Sequence, residues 1–461
     1  MRYQSTRGEA PELGFEDVLL AGLARDGGLY VPAVWPQLPA GAFRKLQGAP
    51  YEDVAFAVLH PFIAGAIPDA EMKRMLADAY AGFDHPAVAP LKQLDDNQWL
   101  LELFHGPTLA FKDVAMQLLA RLMDWALAKR KTRATIIGAT SGDTGGAAIE
   151  AFKASRHASI FILHPHGRVS DVQRRQMTTV DSASVHNIAI EGTFDDCQAI
   201  VKELFNDHKF RDGVGLAGVN SINWARIMAQ IVYYVTAGLS LGAPDRQVSF
   251  CVPTGNFGDV LAGFVAKRMG LPVDRLVIAT NVNDILDRAL KTGRYDVTGV
   301  KPSSSPSMDI QVSSNFERLL FEVHNRDPNA VRRMMASLAQ SGAFRIADRE
   351  LQQIRNEFDS GAASEAATAT TIRETLAQTG ELLDPHTAVG YAVARRQAPS
   401  PSPMVTLATA HPAKFPAAVE EASGVRPALP PRLAHLLTAE ERFTVQPNSS
   451  QAVRAFILGH S

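Results

Sequence analysis

Apolar, strand-like runs alternate with amphipathic helical stretches through most of this chain of 461 residues, and the alternation limits the folds open to it. Helical stretches lie between most of these runs, which favours largely parallel sheets that are covered on both faces. The sequence therefore predicts an α/β fold. The runs predicted as strands are residues 134–138, 159–163, 185–190, 248–252, 276–280 and 404–409.

The first 90 residues have a more mixed pattern, and we predict that they form a smaller N-terminal domain. A strand is predicted over residues 29–32, after a Gly-rich turn, and helices over residues 51–59 and 69–80. A Pro-containing stretch at 85–90 indicates the boundary, so a larger α/β region is predicted to span residues 91–461. Further along, residues 314–317 fit a capping box that opens a helix, and residues 398–403 form an Ala/Pro/Ser linker.

The composition excludes several classes of protein. Lys and Arg total 46 against 48 for Asp and Glu, so no basic excess suggests a nucleic-acid or membrane surface. The two cysteines, Cys197 and Cys251, match no metal-ligand or redox spacing, which fits a reducing compartment and no metal site. The N-terminus lacks a signal-like apolar run, and no stretch approaches the ~20 apolar residues of a membrane span. A cytoplasmic protein is expected.

Two Gly-rich segments lie where a predicted strand turns into a helix, at residues 139–146 (ATSGDTGG) and 253–259 (PTGNFGD). Glycines allow a close backbone approach, and the start of a helix offers unpaired N–H groups to an anion. Neither segment has the spacing of a Walker A loop or of a dinucleotide-binding loop. Each segment alone is equally compatible with an ordinary strand–helix turn.

Lys112 lies in a third segment, residues 104–113 (FHGPTLAFKD), before a helix predicted over residues 114–127. Apolar surroundings and the positive end of a helix both disfavour an ammonium ion. A neutral lysine amine can form a Schiff base and later act as a general base. The alternative is that the Lys112 side chain extends to solvent, as most lysine side chains do.

Two more segments carry polar side chains at positions where chemistry is possible. Residues 220–226 (NSINWAR) fit a helix start, and Arg226, one turn along, could bind a phosphate with two hydrogen bonds. Residues 408–415 (ATAHPAKF) end the last strand with a hydroxyl, a histidine and a lysine. Ligands of parallel α/β sheets bind beyond the carboxyl ends of the strands, so all five segments are expected to converge there.

Together the five segments resemble those of the threonine synthase family, in its bacterial and fungal branch. Further similar stretches are GLARDGGLYVP (residues 22–32), PSMDIQVSSNFER (306–318) and DPHTAVG (384–390). The resemblance implies the tryptophan-synthase-β type of pyridoxal 5′-phosphate (PLP) fold, in which two interleaved α/β domains hold the cofactor between them. It also implies no activation by S-adenosylmethionine, which the plant branch binds on an extended N-terminal segment.

The resemblance also assigns roles to individual residues. Lys112 would be the catalytic lysine that holds PLP as an imine, and Thr409 would hydrogen-bond the pyridine nitrogen. A hydroxyl at that place, unlike a carboxylate, does not stabilise a positive charge on the ring. The cofactor phosphate would lie among Gly255, Asn256, Phe257, Gly258 and Asp259. Substrate contacts would come from Ser141, Gly142, Asp143 and Thr144 near the carboxylate, and from Asn220, Ser221 and Arg226 at the phosphate.

The implied reaction is γ-elimination of phosphate from O-phospho-L-homoserine and addition of water at Cβ, which gives L-threonine and phosphate. A PLP-dependent phospho-lyase that gives 2-oxobutyrate from the same substrate is the alternative. Serine or threonine dehydratases are disfavoured because their substrates carry no phosphate for Arg226. A PLP-binding protein without catalysis is opposed by the intact lysine and phosphate segments. A monomer or homodimer is expected.

Overall fold

The computed structural model describes residues 1–460 and has the predicted α/β architecture. The strands, in chain order, are β1 (Tyr3–Ser5), β2 (Tyr30–Pro32), β3 (Leu91–Asp95), β4 (Gln98–Glu102), β5 (Ala134–Ala139), β6 (Ala158–Pro165), β7 (Val185–Glu191), β8 (Leu216–Ala217), β9 (Val248–Pro253), β10 (Val273–Thr280), β11 (Arg294–Asp296), β12 (Ala343–Arg345), β13 (Phe358–Ala362), β14 (Met404–Ala408) and β15 (Thr444–Pro447).

The α-helices lie between these strands and cover both faces of the sheets. In chain order they are α1 (Phe15–Ala21), α2 (Ala40–Leu46), α3 (Tyr51–Ile63), α4 (Asp69–Tyr80), α5 (Lys112–Arg130), α6 (Asp143–Phe152), α7 (Asp171–Thr178), α8 (Phe194–Asn206), α9 (His208–Gly213), α10 (Trp224–Ser240), α11 (Gly258–Arg268), α12 (Ile285–Thr292), α13 (Phe316–Val323), α14 (Pro328–Ser341), α15 (Asp348–Glu357), α16 (Glu365–Thr379), α17 (Pro385–Ala394), α18 (Pro416–Ser423) and α19 (Ser450–His460).

Two large sheets confirm the prediction of largely parallel strands. One has six strands in the order β13-β10-β9-β14-β4-β3, and all neighbours are parallel except β3 and β4. The other has five parallel strands in the order β15-β7-β6-β5-β8. Each run predicted as a strand coincides with one of these strands to within three residues at either end. The runs are continuously apolar because helices cover both faces, and every residue of β6, β9 and β14 is buried.

The helices α5 and α10 are buried along most of their length and pack against each other. The N-terminal strands and helices lie against this pair. Trp224, the first residue of α10, is fully buried, and its ring centroid lies 6.2 Å from that of Tyr3 and 5.7 Å from that of Phe62. The six-stranded sheet begins with β3, directly after the predicted boundary at residue 90. The N-terminal residues therefore pack against α5 and α10, whose first turns carry Lys112 and Arg226.

The capping box predicted at residues 314–317 is wrong, although a helix does begin there. Asn315, not Ser314, is the N-cap of α13, and it makes no capping hydrogen bond with its side chain. The Glu317 carboxylate is used elsewhere, because it accepts hydrogen bonds from the Thr6 hydroxyl at 2.6 Å and from the Arg7 guanidinium. A contact with the distant N-terminus thus replaces the local one.

Candidate active site

Three of the sequence segments follow the carboxyl ends of β5, β9 and β14, as predicted for a ligand site on a parallel sheet. The segment after β14 pairs with the one that precedes α5 through an antiparallel bridge between Ala110 and Ala410. The Phe111 amide donates to the Thr409 carbonyl at 2.9 Å. This bridge brings Thr409, which is buried, next to the start of the helix that carries Lys112.

Lys112 is the first residue of α5 and is 8% exposed. Its Nζ lies 3.4 Å from Oδ2 of Asp143, at the start of α6. Burial lowers the pKa of Lys112, and although Asp143 opposes this, the charges of Lys414 and Arg226 lower that pKa further. A buried lysine with a lowered pKa holds a larger fraction of neutral, nucleophilic amine than an exposed one.

The loop at residues 255–259, which we call the anion cradle, leads into α11. Phe257 has a left-handed φ of 62° and is the N-cap of α11, and its own side chain makes no capping hydrogen bond. The Gly255 carbonyl accepts from the Ser313 hydroxyl at 2.6 Å, and the Asn256 carbonyl accepts from the Asn315 side chain at 3.0 Å. The N–H groups in the same two peptide units must point the opposite way. Together with the uncapped helix they make a receptor suited to a phosphate.

The side chain of Asp259 lies away from this receptor. Its Oδ1 accepts hydrogen bonds from the hydroxyls of Tyr233 at 2.5 Å and Tyr234 at 2.9 Å. Burial raises the pKa of Asp259 to about 6, against the opposing effect of these hydrogen bonds and of the charge on Lys112. The Asp259 side chain therefore links α11 to α10, and we expect this residue to contribute its backbone N–H, not its carboxyl group, to an anion site.

The loop at residues 141–144 opens α6, and Gly142 is its N-cap without a side-chain cap. Gly142 has a φ of 141°, and an added Cβ would lie 2.6 Å from the side chain of Gln173. Ser141 is exposed and Thr144 is half-buried. The Asp143 carboxylate is buried, and although burial acts to raise its pKa, the charges of Lys414 and Lys112 hold that pKa well below the ordinary value.

In the segment at residues 220–226, Asn223 is the N-cap of α10 and accepts from the Ala225 amide at 3.0 Å. The helix start predicted there is confirmed, and the cap is neither Asn220, which is exposed, nor Ser221. Arg226 is 3% exposed and donates one hydrogen bond, at 3.3 Å, to the Val219 carbonyl. Within residues 1–460, its Nε has no hydrogen-bond partner. Burial lowers the pKa of Arg226 to about 10.

The structure brings into the site several residues to which the sequence analysis assigned no role. Ser307 donates its hydroxyl to Oδ2 of Asp143 at 3.0 Å, and Gln173 donates to Oδ1 at 2.9 Å. The Ser307 amide donates to Nε2 of His386 at 3.2 Å, and Lys414 contacts Oδ1 of Asp143 at 2.9 Å. Ser307, His386 and Lys414 all occur in stretches that resemble those of the threonine synthase family. That resemblance is the one sequence feature that could have pointed to them.

A side chain at Gly258 is expected to weaken cofactor binding more than folding. A Cβ there would lie 3.2 Å from Cδ1 of Ile227 and 3.3 Å from Nδ2 of Asn315, whose side chain also donates to the carbonyls of Asn256 and Ser221. Loss of one such hydrogen bond, about 1 kcal/mol, predicts roughly fivefold weaker binding of PLP for Gly258→Ala. Titration of the cofactor-free chain with limiting PLP measures this.

The matched control is Gly361→Ala in the edge strand β13, where a Cβ would lie 2.8 Å from Cγ1 of Val393. This variant is expected to lower the melting temperature without changing PLP affinity. Full PLP occupancy of Gly258→Ala at limiting cofactor would contradict the role given to the anion cradle.

Comparison with known proteins agrees with this site. Residues 85–410 match the family described as pyridoxal-phosphate dependent enzyme, residues 2–80 match the threonine synthase N terminus, and residues 387–457 match the threonine synthase C-terminal family. The threonine synthase of Pseudomonas aeruginosa is 58% identical over 100% of this chain and 98% of its own length.

Solved structures give the same result. The crystal structure of PLP-bound threonine synthase from Brucella melitensis has a TM-score of 0.98 and 61% identity, over 100% of this chain and 99% of that one. The yeast threonine synthase structure has a TM-score of 0.95 and 39% identity, over 100% and 98% of the two chains. The matched families cover most of the chain, and the P. aeruginosa relative is aligned over 98% of its own length. The chain therefore belongs to the PLP-dependent threonine synthase family.

Proposed function

We propose that this chain converts O-phospho-L-homoserine and water into L-threonine and phosphate, with PLP held by Lys112. The observation that carries the proposal is a pair of separate anion receptors near one buried lysine. One is the anion cradle at the start of α11, and the other is the buried guanidinium of Arg226, whose charge acts on Lys112. A phosphorylated cofactor needs one receptor, and a phosphorylated substrate needs the other.

The residues present fit the cofactor. The anion cradle supplies backbone N–H groups without a competing side-chain cap, and Lys112 supplies a buried amine with a lowered pKa. Thr409, buried beside the start of α5, is assigned to the pyridine nitrogen. When bound, PLP withdraws electrons from the substrate and so makes protons at Cα and Cβ easier to remove.

The chain's own groups would then bind and orient the substrate. Arg226, with Asn220 and Ser221, would hold the substrate phosphate, which is also the leaving group. The uncapped start of α6, with the hydroxyls of Ser141 and Thr144, would receive the substrate carboxylate. The Asp143 carboxylate is engaged by Lys112, Lys414, Gln173 and Ser307, so its contribution there comes from its backbone.

Lys112 is the group assigned to move protons at both Cα and Cβ. Because its amine is buried and its pKa is lowered, a larger fraction of it is neutral and able to accept a proton than in an exposed lysine. Expulsion of phosphate at Cγ leaves the guanidinium of Arg226 beside the departing charge, where charge-assisted hydrogen bonds are strongest. Cγ then takes up a proton and becomes the methyl group, and water adds at Cβ, which distinguishes this reaction from that of a phospho-lyase.

The test is product analysis with the purified chain, PLP and O-phospho-L-homoserine. Phosphate and L-threonine are expected in equal amounts. Formation of 2-oxobutyrate and ammonia in place of threonine would identify a phospho-lyase. Release of 2-oxobutyrate from threonine, with no reaction of phosphohomoserine, would identify a dehydratase and overturn the proposal.

We also propose that the reaction takes place in the cytoplasm, in a monomer or homodimer. Cys197 and Cys251 are both buried and unpaired, which supports a reducing compartment. Among residues 1–460, no helix has both the length and the apolar character to cross a membrane.

A further inference from the structure

Asp143 lies between two buried lysines. Its Oδ1 is 2.9 Å from Nζ of Lys414, and its Oδ2 is 3.4 Å from Nζ of Lys112. Lys414 has no exposed surface. One carboxylate thus faces two amines in a region from which water is largely excluded, and two ammonium ions against one carboxylate would leave a net buried charge. Since an uncompensated buried charge is costly, one of the two lysines is expected to be neutral.

Hydrogen bonding indicates which lysine carries the proton. The Lys414 Nζ donates hydrogen bonds to the Thr108 carbonyl at 2.8 Å and to Oε1 of Gln176 at 3.1 Å, and it forms an ion pair with Oδ1 of Asp143 at 2.9 Å. An ammonium group has N–H donors and no acceptor, so three oxygens around one nitrogen suit it. Within residues 1–460, Nζ of Lys112 has one hydrogen-bond acceptor, Oδ2 of Asp143 at 3.4 Å, and the Phe111 ring, 4.8 Å away at its centroid, is a weaker partner for a cation than the oxygens around Lys414.

We propose that Lys414 is a positioning residue whose fixed ammonium neutralises Asp143 and thereby keeps Lys112 a neutral amine. The inference rests on the proposed role of Lys112 as the lysine that binds PLP. Without Lys414, Asp143 would be a buried carboxylate with Lys112 as the one lysine beside it, and Lys112 would be drawn into its charged form. Such a lysine could neither attack a carbonyl carbon nor accept a proton from a substrate.

Of the charges around Lys112, two act against its ammonium form and one acts in favour of it. Lys414 and Arg226 lower the pKa of Lys112 and Asp143 raises it, in a site where burial is the largest lowering effect. The Lys112 charge also acts on Asp259, whose pKa burial raises to about 6. His386 also faces Asp143, and its Nε2 accepts a hydrogen bond from the Ser307 amide at 3.2 Å.

The sign of the effect of removing Lys414 follows from these charges. Loss of the Lys414 ammonium removes a cation that lowers the Lys112 pKa. It also leaves Lys112 as the lysine that pairs with the Asp143 carboxylate. Both changes favour the ammonium form of Lys112, so its pKa rises. An opposite charge within about 4–6 Å typically shifts a pKa by about 1–3 units. The measurement is made between pH 7 and 10, above the Asp259 pKa of about 6, so that ionisation of that carboxyl group does not contribute to the profile.

The experiment uses Lys414→Met in the full chain freed of cofactor. The rate at which added PLP is captured is followed by absorbance as a function of pH. The midpoint of this rate profile is expected to rise by about one pH unit or more, with capture about tenfold slower at neutral pH. Asp143→Asn should lower the midpoint, and the double variant Asp143→Asn/Lys414→Met should return it towards that of the unmodified chain.

An unchanged midpoint in Lys414→Met, even with a lower melting temperature, would overturn the inference and leave Lys414 a purely structural residue. If Lys414→Met alone does not fold, adding it to Asp143→Asn must still raise the midpoint above that of Asp143→Asn. Equal midpoints in those two variants would overturn the inference as well.

Two controls separate this inference from the proposed function. Lys291→Met removes a lysine that lies 2.7 Å from another buried aspartate, Asp287, on a helix that carries none of the site residues, and it should leave the midpoint unchanged. Borohydride reduction and peptide mapping should find PLP on Lys112 in every variant. PLP found on a different lysine would overturn the assignment of Lys112 itself.

Discussion

Lys112→Ala is expected to abolish turnover and to leave PLP without a covalent bond to the chain. Lys112 combines a buried position, a lowered pKa and a place at the start of α5, beside the end of β14. Its loss removes both the amine that anchors the cofactor and the base assigned to Cα and Cβ. A positioned base alone typically contributes about 10²–10⁴-fold. Absorbance of bound PLP and product assays measure the two losses separately.

Lys414 is close enough to raise the question of substitution, because both lysines contact the same carboxylate. It is expected not to replace Lys112, since its ammonium is held by Thr108 and Gln176 as well. Borohydride reduction followed by peptide mapping should label Lys112 in the unmodified chain and no lysine in Lys112→Ala. Lys129→Ala, on the exposed end of the same helix, is the matched control and should retain full activity. A label on Lys414 would refute the assignment.

The strands of the two sheets could be predicted from the sequence because their burial is nearly complete. Runs such as β9 and β14 are buried at every residue, so they are recognisable without any knowledge of their neighbours. The order of the strands within each sheet could not be predicted from the sequence. Pairing of β4 with β14, or of β15 with β7, joins segments that are far apart in the chain, and periodicity carries no information about such pairs.

Local rules were wrong where a distant partner offered a better contact. Glu317 fits a capping box by spacing, but it binds Thr6 and Arg7 instead, from the opposite end of the chain. Residues 314–317 therefore predicted the position of a helix start correctly and the role of its side chains incorrectly. The helix start predicted at residues 220–226 is confirmed with Asn223 as the cap, because its side chain accepts a hydrogen bond from the Ala225 amide in the first turn of α10.

The candidate site was predictable to the level of segments. The Gly-rich turns and Lys112 follow from spacing and from resemblance, because glycines and helix starts have local causes. The contacts that join these segments to one another have no local cause in the sequence. The position of Lys414 depends on Gln176, 238 residues earlier, and the Asp259 carboxylate depends on two tyrosines of α10. The charge–charge interactions between residues of the site therefore could not be predicted from the sequence and became visible only in the structure.

Arg226→Ala is expected to reduce kcat/KM for O-phospho-L-homoserine while leaving the absorbance of bound PLP unchanged. The Arg226 guanidinium is buried, donates one long hydrogen bond to Val219, and retains a pKa of about 10, so it is charged at neutral pH. Its remaining N–H donors suit a phosphate. A charge-assisted hydrogen bond contributes about 1.5–3 kcal/mol, and a bidentate pair can exceed this. The expected loss is at least ~10-fold and can exceed 100-fold, with each 1.4 kcal/mol counting for a factor of ten.

The same variant distinguishes a substrate role for Arg226 from a structural one. Inorganic phosphate should inhibit the unmodified chain competitively and Arg226→Ala far less. Within residues 1–460, no carboxylate forms an ion pair with Arg226 and its Nε lacks a partner, so alanine removes a buried charge with little bonding to lose. The melting temperature should therefore stay constant or rise.

Arg326→Ala is the matched control, because Arg326 pairs with Glu322 at 2.7 Å and donates to the carbonyl of Pro32 at 2.9 Å. That control should melt earlier and keep full inhibition by phosphate, and the same outcome for Arg226→Ala would make Arg226 a structural residue.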